Sequence, residues 1–159
     1  MSEGMTPIVK NTARLVSGFI AVFGIYIALT GHLSPGGGFA GGVILAAAAV
    51  LIVLAFGRGV AERIFTPSQC HLWDAAGAGL FLVVAVLGYF SGGFFVNFIA
   101  HISKGQVGKL FSGGTILVSN LCILIKVAAG LVGAFLALSA FRRQGVDAAG
   151  NVIEGGQTA

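Results

Sequence analysis

Residues 36–56 read GGGFAGGVILAAAAVLIVLAF, and no charged side chain falls between Leu33 and Gly57. Wound as an α-helix, a run of about 20 apolar residues matches the hydrocarbon thickness of a bilayer. The composition agrees with that reading: 57% of the 159 residues are hydrophobic and 9% are charged, against about 25% charged in soluble domains. Such a chain cannot supply a polar exterior, so lipid must be the solvent for most of its surface. In lipid, backbone polar groups are satisfied only inside helices or closed barrels.

Working outward from this run, the same pattern predicts four spans, at about residues 8–30, 36–56, 68–90 and 114–140. The fold class is therefore all-α, an integral membrane protein with four transmembrane helices. Residues 1–143 form the membrane domain, and the polar, Gly-rich stretch 144–159 reads as a disordered tail. Thr6 and Pro7 suit the start of the first span, as do Thr66, Pro67 and Gln69 for the third. Trp73 falls at interface depth. The first run has no small-residue cleavage site behind it and passes into a Gly-rich turn, so it reads as a retained span and not a signal peptide.

The formal charge is +4, but the basic residues sit at the ends of apolar runs and form no patch. That pattern argues for membrane topology and against nucleic acid. Lys10, Arg14, Arg58, Arg63, Arg142 and Arg143 fall on one side, Lys104 and Lys109 on the other. Six against two places both termini in the cytoplasm of a multi-pass protein of a bacterial or archaeal inner membrane. The connections 31–35 and 91–113 are then external. Lys10 and Arg14, four apart, share a helix face and can snorkel. Cys70 is read in a polar connection and Cys122 inside a span, so no disulfide is expected, and two lone thiols make no metal site. No Walker loop, zinc spacing, haem or flavin signature or nucleophile elbow occurs, so no cofactor and no enzyme activity are expected.

Three features invite a functional reading. The first is the turn Gly31–Gly42, where Gly31 can end one helix in the left-handed conformation while Ser34 and Pro35 open the next. Its bare backbone suits either an anion or a closely packed helix, and with no charge cluster nearby packing by Gly36, Gly37, Gly38, Gly41 and Gly42 is the stronger reading. Gly37/Gly41, Gly38/Gly42 and Gly88/Gly92 are spaced four apart, which gives smooth faces for neighbouring helices within or beyond the chain. His32, beside the turn, can relay protons or simply bond the turn.

The second feature is Lys126, with fifteen apolar or small residues following it. An ionisable group at that depth is a functional candidate. Every acidic residue reads as shallow: Glu62 and Asp74 in the connection or first turn, Glu3, Asp147 and Glu154 in the tails. Lys126 is therefore expected either to stay neutral or to be supported by a partner chain or a water-filled path, snorkelling being the alternative. The third is Asn120, which can bond across helices, with Ser119 beside it. His71 and Asp74, three apart, read as an interfacial pair. His101 has no partner that the sequence identifies.

The string Gly31, His32, Pro35, Gly36, Gly37, Gly38, Phe39, Gly41 and Gly42, preceded by Ile25-Tyr26, resembles the MnhB family, the B-type subunits of multisubunit Mrp-type sodium/proton antiporters. The resemblance covers the four-span layout, about residues 8–141. It implies a small accessory subunit without catalytic centres, packed beside larger proton-pumping subunits in the bilayer, in an assembly that exchanges protons and Na⁺. The family also occurs in the membrane arms of complex I-like assemblies such as membrane-bound hydrogenases, which is the alternative that the resemblance implies. Family members carry Phe-Asp-Leu early in the last span, where this chain has Ser119-Asn120-Leu121 and adds Lys126. A stand-alone homo-oligomeric transporter would need ion ligands of its own, and the spans hold no carboxylate on this reading. A membrane enzyme would need a cluster of catalytic groups at one depth.

Overall fold

The computed structural model describes residues 5–57, 66–99, 110–141, 144–146 and 152–154. Four helices dominate: α1 Pro7–Leu29, α2 Gly38–Phe56, α3 Pro67–Leu87 and α4 Thr115–Phe141. Short 3-10 turns at Gly88–Ser91 and Leu110–Gly113 follow α3 and precede α4. All four helices are long and apolar enough to cross a membrane, the third counted through to Ser91. The protein is an all-helical, multi-pass membrane protein in its apolar region.

Its packing is inverted relative to a soluble bundle. Phe19, Val22, Leu82, Phe90 and Leu138 face outward, while the interior is rich in small residues, Ala13, Ala28, Ala46, Ala48, Ala55 and Ala85 with Gly24, Gly41, Gly42 and Gly77, beside a cluster of Val53, Cys70, Val132 and Leu136. Lipid exerts no hydrophobic push between helices, so close backbone approach over small residues holds them together. α1 packs on α2, α2 on α4, and α4 on α3, which leaves α1 and α3 at opposite edges. Gly24 and Gly41 bring α1 against α2: a Cβ at Gly24 would stand 2.9 Å from the Gly41 carbonyl oxygen. The two helices run antiparallel. The Met5 N–H donates to the Ala55 carbonyl at 3.1 Å, and Lys10 and Arg14 both lie over the Phe56 ring, at 5.9 and 5.1 Å.

The turn between α1 and α2 differs from the expectation. Gly31 does not take the left-handed conformation; the positive φ falls at Gly37, the residue that caps α2, with φ of 101° and ψ of −169°, an extended form open to glycine. Ser34 does not cap α2 either. Its hydroxyl donates to the Thr30 carbonyl and closes α1 instead. The cause is that Pro35 and Gly36 stay outside the helix, which delays its start to Gly38. Asn97 fixes the start of α4: its side chain accepts from the Thr115 N–H at 3.0 Å and donates to the Gly113 carbonyl at 3.4 Å. In the stretch read as a disordered tail, Gln144–Val146 pairs antiparallel with Val152–Glu154. The β-branched Val146, Val152 and Ile153 favour strand. Arg58, Arg63, Lys104, Lys109, Arg142 and Arg143, which carry most of the argument for orientation, lie outside the described residues, as do Glu62 and His101.

Candidate functional site

The seam between α3 and α4 can be followed residue by residue. A Cβ on Gly133 would stand 3.3 Å from that of Cys70, one on Gly130 would stand 3.4 Å from the Asp74 carboxylate, and one on Gly77 would stand 2.8 Å from the Lys126 amide nitrogen and 2.9 Å from the Cys122 carbonyl oxygen. Ascending α3 thus means descending α4, so the helices are antiparallel. Their backbones touch where Gly77 removes a side chain, which sets the Lys126 backbone level with Gly77. Asp74 lies three residues lower, about 4.5 Å along the axis, within reach of the lysine stem.

Lys126 Nζ donates to Asp74 Oδ1 at 2.8 Å, and the two side chains are 47% and 38% exposed. This overturns the expectation that Lys126 has no counter-charge within its own chain. Counted from the polar connection, Asp74 reads as shallow. α3 begins at Pro67, and Asp74 lies two turns inside it. The lysine stem covers the remaining difference in height. Asp74 turns to Lys126 and not to His71, its neighbour on the same helix. Cys70 is likewise inside α3, buried, and both cysteines are free thiols.

The second polar centre lies nearer the other end of α4. The Asn120 side chain sits against the glycine turn: a Cβ at Gly31 would meet its Nδ2 at 2.9 Å, and one at Gly37 would meet its Oδ1 at 3.5 Å. Gly38 leaves no room for any side chain, because the Asn120 backbone carbonyl occupies that space. The other glycines are also used within the chain. Gly36 lies on Ile27, Gly41 on Gly24 and Ala28, and Gly42 on Leu124 and Val127. The His32 ring rests on Gly113, just before α4, whereas Lys126 lies eleven residues inside that helix. The structure therefore groups His32 and Asn120 with the glycine turn and sets Lys126 apart with Asp74. Among the described residues no three His, Cys, Asp or Glu gather as a metal site.

Sequence reasoning missed Asp74 and Asn97. Gly77 lies in the small-residue run Ala75-Ala76-Gly77-Ala78-Gly79, which marks a depth at which another helix can approach closely, and that run is the signal that points to Asp74 beside it.

The family model described as "Domain related to MnhB subunit of Na+/H+ antiporter" matches residues 8–133. An uncharacterized protein of Methanocaldococcus jannaschii is 35% identical over 84% of this chain and 52% of its own length. A Bacillus subtilis protein named as the B-type subunit of a Na(+)/H(+) antiporter is 38% identical over 48% of this chain and 52% of its own length. A protein of Staphylococcus haemolyticus named as antiporter subunit mnhB2 is 32% identical over 83% of this chain and 93% of its own length. The chain thus spans about half the length of the first two relatives and nearly all of the third. Among solved structures, a chain of the membrane-bound sulfane sulfur reductase, an archaeal respiratory membrane complex, superposes with a TM-score of 0.70 at 31% identity, covering 86% of this chain and 61% of that one. With a family model matching most of its length and a nearly full-length relative behind it, this four-helix chain belongs to the MnhB family.

Proposed function

We propose that the chain is a small accessory membrane subunit of a multisubunit Mrp-type cation (Na⁺)/proton antiporter, where it supports assembly and ion translocation. The observation that carries this reading is the family match across residues 8–133, a region that takes in α1, α2, α3 and most of α4. The chain works as a component of a transporter and not as an enzyme. A second reading has its own observation, the superposition on a chain of a respiratory complex. It makes this chain the equivalent membrane-arm subunit of a complex I-like assembly.

Lys126, paired with Asp74, is the residue of the ion path or of assembly, while His32 and Asn120 stand at the glycine turn. Both termini face the cytoplasm on this reading, by the distribution of Lys and Arg. Gentle detergent extraction of the tagged chain, followed by a native gel and mass spectrometry, tests the proposal. Antiporter-like subunits alone establish the antiporter. Iron–sulfur subunits beside them shift the answer to a respiratory complex, and a homo-oligomer without partners overturns both. Lys126→Ala should impair transport or assembly; a fully active, fully assembled variant contradicts a role for Lys126.

A further inference from the structure

We infer that the open side of the α3–α4 seam, centred on Asp74 and Lys126, is a docking surface for a transmembrane helix of a different subunit that presents a neutral hydrogen-bonding side chain at this depth. The inference rests on the multisubunit reading above and specifies where that contact lies and what chemistry it has.

Depth comes first. Asp74 lies seven residues into α3, about 10 Å along its axis. The third span, Pro67–Ser91, has 25 residues and is about 37 Å long, so it overhangs a hydrocarbon core of about 30 Å by a few ångströms at each end. The pair is therefore about 6–7 Å inside the hydrocarbon if the span is centred. At that depth it is still 47% and 38% exposed on the surface of the chain.

Hydrogen bonding comes next. An ammonium has three donors and a carboxylate two acceptor oxygens. Among the described residues, Lys126 Nζ bonds only Asp74 Oδ1, and the second carboxylate oxygen has no bond. Hydrocarbon satisfies none of these groups. Because the pair sums to zero charge, a further ion on the partner would stand without a counter-charge. A neutral hydroxyl or amide fits both needs, since it accepts from the ammonium and donates to the free oxygen.

Shape agrees. One and two turns beyond Lys126 on the same helix face are Gly130 and Ala134, and one turn beyond Asp74 is Ala78. Ala134 is exposed. A Cβ on Gly130 would meet nothing but the Asp74 carboxylate, at 3.4 Å, so this glycine keeps the surface low without being needed for packing inside the chain. It differs in this from Gly38, Gly41, Gly42 and Gly77, at each of which a Cβ would meet the backbone of another helix at 3.0 Å or closer, whereas at Gly130 it would reach only the Asp74 side chain of α3, at ordinary contact distance. Gly79, which also meets nothing, projects about 140° around α3 from Asp74 and serves as the control.

The test uses the full chain expressed with its neighbouring subunits in the native membrane. Gly130→Leu should cut the co-purified subunits at least tenfold at unchanged membrane content and unchanged melting of the chain itself, while Gly79→Leu leaves them intact. A photo-crosslinking amino acid in place of Ala134 should then form an adduct with a transmembrane peptide of another subunit. That peptide should carry Ser, Thr, Asn, Gln or Tyr within one turn of the linked position. Adducts to lipid alone, to a second copy of this chain, or to a peptide whose polar side chains there are all charged overturn the inference. So does full assembly of Gly130→Leu, which leaves the multisubunit reading standing. A wild-type chain that migrates without partners defeats that reading itself.

Discussion

Asp74 shows how a single carboxylate changes the meaning of a lysine. An unpaired lysine at the centre of a span costs about 2.5–3.5 kcal/mol on insertion. The 2.8 Å contact to Asp74 removes much of that burden without a second chain. Breaking one side of the pair should therefore harm stability more than removing both. Asp74→Asn leaves the ammonium without its counter-charge. The exposed flank of the pair faces hydrocarbon and not screening water, so the expected cost is about 2.5–3.5 kcal/mol, that of an unpaired lysine in a span. The double variant Asp74→Asn, Lys126→Met should recover most of that loss. The measurement is thermal melting of the purified chain in detergent. A double variant no more stable than Asp74→Asn alone rules out the pairwise account. Transport measured on the same double variant then separates the two roles of Lys126. If the variant is stable but inactive, the charges themselves serve the ion path.

At the scale of helices, the small residues decide which surfaces are inward. Gly38 is the sharpest case, since the Asn120 backbone lies where a side chain would go. Gly38→Leu should push α2 off α4 and destabilise the isolated chain by at least about 1–3 kcal/mol, the usual range for overpacking. Melting in detergent before any partner is added checks this. A normal melt with failed assembly would mean that Gly38 faces a neighbour instead. The four helices were legible in the sequence because length and apolarity alone define a span. The glycine stripes were legible as packing faces too, but spacing does not say which helix fills them. Gly41 faces α1 while Gly42, one residue on, faces α4, and only the layered order of the helices reveals that. The ion pair was hidden for the same reason. Asp74 and Lys126 are 52 residues apart, and their common depth depends on antiparallel packing and on where α3 begins. Asn97 was hidden because a polar residue in a connection gives no hint that it anchors the helix beyond.

At the scale of the whole molecule, orientation decides which water phase the Asp74–Lys126 pair lies nearer. The start of α1 adjoins the end of α2, and the start of α3 adjoins the descending half of α4. If the spans alternate across the bilayer, Pro67 shares a side with both chain termini, and Asp74 is about 10 Å from that side. On the proposed orientation, in which the excess of Lys and Arg near those ends marks the cytoplasmic side, and on the proposed ion-path role of Lys126, the pair would draw its protons or ions from within the cell. Single-cysteine variants in a Cys70→Ala, Cys122→Ala background test this directly. Ser34→Cys, exposed in the turn between α1 and α2, should react with a membrane-impermeant maleimide in intact cells. Thr158→Cys, in the tail, should react only after the membrane is opened. The opposite labelling pattern would invert the protein and move the pair toward the external face. Any coupling mechanism would then have to load Asp74 from outside.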